Sequence, residues 1–232
     1  MGSIAAILNA SSVLARELVS VLEDLEIEPF AEVRLFGTTA DTFLRYRGKD
    51  IRIGTRSEAR LQGVAVVMLG GHADVRPGTI VVGLTGDVGA SAPLTDPVLD
   101  SVLPDHSGLI AVPRVGAAVI ARIARACEAR RVVATVLEPA GEFGPAGLTE
   151  LYEQTMALFQ HRERPDAVFG GRLAFNILPG RASLEGVERL AGCPVHATSL
   201  LTPVFAGTLV TLDLELGAPI LDLEDRLEDA GI

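Results

Sequence analysis

The sequence predicts an α/β chain with a Rossmann-like first half and a mixed-sheet α+β second half, and three observations carry that prediction. The chain opens as strand, turn and helix: Ile4 to Leu8 is a short apolar run, Asn9-Ala10-Ser11-Ser12 breaks it, and Leu14, Leu18, Val21, Leu22 and Leu25 follow at helical spacing. Two continuous apolar runs, Val64 to Leu69 and Thr79 to Leu84, have the character of parallel strands covered on both faces. A single stretch, Gly108 to Thr155, then reads as loop, helix, strand, Gly/Pro turn and second helix, and divides the chain into residues 1–112 and 113–232.

Composition bounds what such a chain does. Its 232 residues are 48% hydrophobic, enough for one large or two small domains with a buried core. Thirty acidic against twenty basic residues give a net charge of -10, which repels nucleic acid and anionic membranes, so neither is expected as a partner. Cys127 and Cys193 lie far apart without a Cys-x-x-Cys, so neither a disulfide framework nor a metal site is expected, and a reduced, cytoplasmic setting fits. The apolar N-terminus lacks a basic region and meets Arg16 and Glu17 early, so neither a signal peptide nor a membrane span is expected.

In chain order, Ser11 and Ser12 are placed to cap the first helix. Glu32 to Gly37 reads as the second strand, and Phe43 to Ile53 as a hairpin turning at Gly48-Lys49-Asp50, its basic residues solvated in the ordinary way. From Thr85 to Ser107 the chain is rich in loop residues, and Leu109 to Val112 returns it to the sheet. Val119, Ile123 and Ala126/Cys127 mark the next helix, with Arg122, Arg125, Arg130 and Arg131 left to solvent and to its last turn, where cations suit the helix dipole. Val132 to Leu137 is a β-branched strand. A helix starting near Gly147 follows, with Leu148, Leu151, Tyr152, Thr155 and Leu158 as its apolar stripe. Thr208 to Leu216 alternates with period two, Val210, Leu212, Leu214 and Leu216 on one face and Thr211, Asp213 and Glu215 on the other, and Ile220 to Ile232 is an acidic amphipathic helix.

The stretch Ala111-Val112-Pro113-Arg114-Val115, with the helix, strand and glycine turn that follow, resembles the middle of aspartate-semialdehyde dehydrogenases. Phe169 to Pro179 resembles that family's Ala-Phe-Asn-x-x-Pro strand, and Pro194 to Gly207 the segment before its catalytic histidine. The resemblance implies a dinucleotide-binding half followed by a dimerisation half whose sheet packs on its mate. Phe175, Ile177, Val210, Leu212 and Leu214 are then the interface candidates. At the functional positions the family's residue types are missing. Val115 stands at the position of the nucleophilic cysteine, Glu138 at that of the glutamine, Leu201 at that of the substrate arginine and Thr208 at that of the histidine. The glycine fingerprint of the dinucleotide loop is replaced by Asn9, Ser12 and Ala15, with Ser11 beside them.

Semialdehyde oxidation needs a thiolate, a base that forms it and a cation for the substrate carboxylate. With all three absent, the expectation is a cofactor-free homodimer that scaffolds or binds a partner, similar to the cysteine-less, Usg-type relatives; NADP is the family's cofactor. Glu138, Glu142 and His196 are the only polar material for a different chemistry, and Ser11-Ser12 for a residual anion site. Thr38-Thr39-Ala40-Asp41, where the family holds the 2'-phosphate, carries only a negative charge. Gly70-Gly71 matches a Gly-Gly that the family uses near the nicotinamide, while His72 and His106 are assigned loop roles without chemistry.

Overall fold

The computed structural model describes residues 3–37, 42–55, 61–69, 78–84, 92, 94–100, 108–180, 184 and 186–232. Thr38 to Asp41, Gly70-Gly71, His72 and His106 lie outside the described residues. The chain divides into two units, Met1–Pro93 with Pro104–Val112, and Leu94–Leu103 with Pro113–Ile232. Leu94–Leu103 therefore goes with the second unit, not with the first 112 residues as its place in the sequence suggests. The reason is a buried charge: Asp96 is 0% exposed and takes a bidentate hydrogen bond from Arg122 at 3.0 and 3.0 Å.

The first unit is a seven-stranded sheet in the order β3-β4-β2-β1-β5-β6-β7. Its strands are β1 (Ile4–Leu8), β2 (Glu32–Gly37), β3 (Phe43–Tyr46), β4 (Lys49–Thr55), β5 (Val64–Met68), β6 (Ile80–Leu84) and β7 (Leu109–Val112). All pairings are parallel except β3 with β4, and β1 lies between β2 and β5, so the strand order reverses direction beside it, as in doubly wound sheets. Helix α1 (Val13–Asp24) is capped by Ser12, whose hydroxyl accepts the Ala15 N–H at 3.1 Å. Its buried face is Ala15, Val19 and Leu22, at i, i+4 and i+7. Leu14, Val21 and Leu25, which the spacing of leucines put on the stripe, are exposed. Ala15 packs inward, its small side chain permitting close approach to the neighbouring core residues. The hairpin turns at Arg47-Gly48, one residue earlier than expected, because φ is +48° and +74° there, the two-residue turn that matches strand twist. Arg47 is not merely solvated: its guanidinium donates to the carbonyls of Leu22 and Leu25 at 3.3 and 3.1 Å, closing the C-terminal end of α1.

The second unit is built on a four-stranded mixed sheet, order β11-β8-β10-β9. Its elements are α2 (Val115–Ala126), β8 (Ala129–Glu138), a 3-10 turn at Ala140–Phe143, α3 (Gly144–Phe159), β9 (Leu178–Pro179), α4 (Val187–Ala191), β10 (Val195–Leu201), β11 (Leu209–Leu216) and α5 (Leu223–Asp229). β8 and β10 are parallel; β11 and β9 run antiparallel to them at the edges. Helices α2 and α4 cover one face through Ala117, Ile120, Ala121, Ala124, Val187 and Leu190, packed on Val132, Ala134 and Val136. The packed face of α2 is thus not Val119/Ile123, which are half-buried. Alanines turn to the sheet because the helix lies close to it: a Cβ on Gly116 would stand 2.7 Å from Val136. Arg125 is exposed, as expected, and also donates to the Leu190 carbonyl at 2.8 Å.

Helix α3 begins at Gly144 and buries Gly147, Glu150, Leu151, Gln154 and Ala157, while Tyr152 of the expected stripe is exposed. Two polar side chains on a buried face were not foreseen, and they are the reason the face turns inward. Glu150 accepts the N–H groups of Val168 and Phe169 at 2.7 and 3.1 Å. Gln154 accepts those of Leu173 and Ala174 and donates to the carbonyls of Pro165 and Gly171. These bonds serve a backbone that makes no ladder, so the expected strand over Phe169 to Pro179 shortens to Leu178–Pro179, and Phe175 takes a φ of +57°.

Candidate functional site

The site forms where α2 starts and β8 ends. Arg114 is the N-cap of α2 in extended conformation, and Val115, the first helical residue, is 59% exposed. Pro113 precedes them with a fixed φ and no N–H to satisfy. Glu138 closes β8; its side chain is buried and accepts the Ser199 hydroxyl at 2.6 Å, and its carbonyl accepts the backbone and hydroxyl of Thr202, each at 2.9 Å. Glu142, from the 3-10 turn, pairs with Arg114 at 3.1 Å. With Thr208, Leu184 and the floor of Ala117 and Val136, these residues line a cleft of about 10 Å³, room for one water.

Of the four positions singled out in the sequence, Val115, Glu138 and Thr208 line this one cleft. Leu201 does not. It is 2% exposed and packs with Ala140, Leu151, Phe169 and Leu173, because the alternation of β10 turns it into a second core. Sequence reasoning named Glu142 as raw material and missed Arg114, whose only signal was a cation two residues after Val112 at the start of a helix. His196 is exposed on β10, in register with Val133, on the face opposite Ala197 and the α2 core. Neither cysteine lines the cleft. Burial pushes both thiols up, Arg226 opposing it weakly at Cys127 and Arg125 at Cys193. Among the described residues no cluster of three or more His, Cys, Asp or Glu suits a metal ion.

The loop between β1 and α1 is the second candidate. Asn9 keeps a glycine-like backbone with φ +59°, which asparagine tolerates, and its side chain donates to the Leu69 carbonyl at 3.3 Å. The Ser12 N–H is spent on the Asn9 carbonyl at 2.8 Å, the Ala10 N–H on Phe36 at 2.9 Å and the Ala15 N–H on Ser12. The Ser11 hydroxyl is buried without a hydrogen-bond partner and lies 2.2 Å from where a Cβ on Gly37 would stand. A glycine loop lets backbone amides approach a pyrophosphate closely; here side chains stand at those positions, and the Ala10, Ser12 and Ala15 amides are already bonded within the protein. The loop does not fit a dinucleotide held in that way.

Phe175 and Ile177 are 69% and 56% exposed. Val210, Leu212 and Leu214 are half-buried and pack against the α2 core of their own unit, so as interface candidates they are on the wrong side of the sheet. The amphipathic strand needs no second copy to explain its apolar face.

No family model matches the chain. Curated relatives do: an aspartate-semialdehyde dehydrogenase of Rickettsia bellii is 29% identical over 118 residues, 44% of this chain and 35% of the relative, and that of Rickettsia conorii is 30% identical over the same length. The match spans about a third of the length of these relatives. A probable aspartate-semialdehyde dehydrogenase from Pseudomonas aeruginosa superposes with a TM-score of 0.81 at 20% identity, covering 99% of this chain and 78% of that one. The chain is related to the aspartate-semialdehyde dehydrogenases. The enzyme of Vibrio cholerae, solved in complex with ASA, has the same TM-score at 21% identity and covers 98% and 79% of the two chains. This aspartate-semialdehyde dehydrogenase relative has their fold, with a Rossmann-like sheet and a second mixed sheet. Among its described residues no helix is long and apolar enough to cross a membrane.

Proposed function

We propose that this chain is a non-catalytic relative of aspartate-semialdehyde dehydrogenase, close to the cysteine-less Usg-type proteins, that acts as a dimeric scaffold or partner-binding protein in the cytoplasm. The observation that carries it is the cleft at the head of α2. Its helix start is occupied by Val115, its polar groups are satisfied by one another in the Arg114–Glu142 and Glu138–Ser199 contacts, and it has room for one water. A side chain without a lone pair cannot attack a carbonyl, and no imidazole lines the cleft to take a proton. The β1–α1 loop, with Asn9, Ser12 and Ala15 in place of glycines and its Ala10, Ser12 and Ala15 amides bonded within the protein, supports the same reading from the cofactor side.

Calorimetric titration with NADP, NADPH and NAD tests it, with phosphate-dependent reduction of NADP in the presence of aspartate semialdehyde as the companion assay. No binding heat at millimolar nucleotide and no turnover is the expected pair of results. Micromolar nucleotide binding together with turnover would refute the proposal. A second reading, a small-molecule sensor, is favoured by one observation: the Ser11 hydroxyl lacks a partner beside the first turn of α1, where an anion would find the amides of Val13 and Leu14. Nucleotide or phosphate binding without turnover would select it.

A further inference from the structure

Helix α1 carries a second apolar stripe beside its buried face. Leu14, Leu18, Val21 and Leu25 recur at spacings of four, three and four, the seam that one helix offers another in a two-stranded coiled coil. The unit's own core takes Ala15, Val19 and Leu22 instead, so this seam is left over. Leu14, Val21 and Leu25 are 44%, 58% and 43% exposed, and Leu18 is half-buried.

The charges beside the seam have one sign. In heptad terms Leu14 and Val21 are d, and Leu18 and Leu25 are a; the e positions, Ala15 and Leu22, are buried, and the g positions are Glu17 and Asp24. Glu17 and Asp24 are exposed, and neither forms an ion pair with a described residue. Arg16, the only basic residue of the helix, is at f, across the wheel from the seam. The last turn holds Glu23 and Asp24, where the helix dipole prefers cations. Arg47 answers the last carbonyls with its guanidinium and Glu23 with its backbone N–H, which leaves Asp24 unanswered.

We propose that this seam docks an amphipathic helix of another protein, one with aliphatic side chains at its own a and d positions and Lys or Arg on the flank that meets Glu17 and Asp24. Opposite charges at flanking positions set partner choice in helix pairs, and like charges repel. The same rule selects against other occupants. A second copy of the chain laid antiparallel sets Glu17 and Asp24 against each other, and laid parallel it offers them only Ala15 and Leu22, which are buried. An anionic membrane is repelled by the same two carboxylates and by the net charge of -10. At about 1.5 Å per residue, the twelve residues of α1 give a contact about 18 Å long, smaller than a standard interface, so the docking is transient and of about micromolar strength. This inference rests on the partner-binding reading and adds the partner's chemistry to it; nucleotide binding or turnover would refute that reading without changing the affinity of α1 for a helix.

The test is fluorescence anisotropy of labelled synthetic peptides of about three heptads, with leucine at a and d and either lysine or glutamate at e and g, titrated with the full chain. Wild type is expected to bind the lysine peptide, less tightly as salt rises to about 0.5 M, and to bind the glutamate peptide at least about tenfold more weakly. Glu17→Lys with Asp24→Lys is expected to reverse that order. Val21→Lys, at an exposed position in the seam, is expected to weaken the lysine peptide at least about tenfold with circular dichroism unchanged. Glu163→Lys with Asp166→Lys makes the same change in net charge at exposed residues of the other unit, and is expected to keep the lysine peptide within about twofold of its wild-type affinity. No binding of the lysine peptide, equal binding of the two peptides, or the same behaviour in the α1 charge-swap variant and the control variant overturns the proposal. Self-association of wild type that Val21→Lys abolishes also overturns it, by giving the seam to a second copy.

Discussion

Replacing Gln154 by alanine is expected to destabilise the second unit by about 3–5 kcal/mol. Gln154 is 0% exposed and makes hydrogen bonds of 2.8 and 3.0 Å from the N–H groups of Leu173 and Ala174, and of 2.9 and 3.0 Å to the carbonyls of Pro165 and Gly171. Leu173 and Ala174 are themselves 0% and 1% exposed, so their amides have no water to turn to. An unsatisfied buried group costs about 1–3 kcal/mol, and relaxation of the loop with entry of a water into the void recovers part of the sum. At about 2–4 °C per kcal/mol for a chain of this size, the midpoint of thermal unfolding falls by about 6–20 °C. Gln154→Met separates the causes, because it keeps most of the volume and none of the hydrogen bonds, and is expected to lose nearly as much as alanine. Amide exchange reads the same effect locally, with Leu173 and Ala174 exchanging on the order of a hundredfold faster or more in both variants. A loss below about 1 kcal/mol in Gln154→Ala, or full stability in Gln154→Met, would show that the loop is held by its apolar contacts and not by the glutamine.

Asp96→Ala strands the Arg122 guanidinium, whose side chain is 22% exposed, and is expected to cost about 2–4 kcal/mol in urea unfolding, the lower part of the range for a buried pair because Arg122 reaches some water. Ser12→Ala removes the acceptor for the Ala15 N–H and is expected to cost about 1 kcal/mol, whereas Ser12→Gly costs only a few tenths. Because burial raises both thiols above their ordinary value, alkylation of Cys127 and Cys193 is expected to be slow at pH 7 and to accelerate only above pH 9; a thiol that labels rapidly at pH 6–7 would contradict this. The same shift sets the sign of the stability effect: the unfolded chain releases these protons first, so the thiols' contribution is intact at neutral pH and stability declines as pH rises past the ordinary thiol pKa.

Much of the fold was legible because its strands are short apolar runs bounded by turn residues. Ile4–Leu8, Glu32–Gly37 and Leu109–Val112 have the expected bounds, and the Ser12 cap is where serine chemistry puts it. The helical faces were not legible from leucine counting. In α1 the buried face is Ala15, Val19 and Leu22, and in α2 it is Gly116, Ala117, Ile120, Ala121 and Ala124; small residues permit close approach, while Leu14, Val21 and Leu25 are exposed and Val119 and Ile123 only half-buried. In α3 the packed face contains Glu150 and Gln154, a polar pair four residues apart whose partners are backbone groups eleven to twenty residues away in the chain, and no local pattern announces such a partnership. The same limit applies to the site. Position in an aligned segment brought Val115, Glu138 and Thr208 together correctly, but a one-residue question of strand phase decided Leu201, and phase depends on which face of β10 meets the core.

That strand phase bears on what the cleft has become. A substrate arginine at position 201 would have to stand among Ala140, Leu151, Phe169 and Leu173, where an unpaired cation costs several kcal/mol, so the position is closed to that role by packing as well as by its present side chain. At the head of α2 the electrostatics still favour an anion, since the first turn presents its amides and Arg114 adds a positive charge. That favour has been met from inside the chain: Glu142 takes the arginine, and Glu138 rests on Ser199. A thiolate introduced at position 115 would find that field, but its neighbours Arg114 and Glu142 are already paired with one another. On the proposed non-catalytic reading, Val115→Cys alone is expected to give no reduction of NADP with aspartate semialdehyde, and turnover in that single variant would refute it.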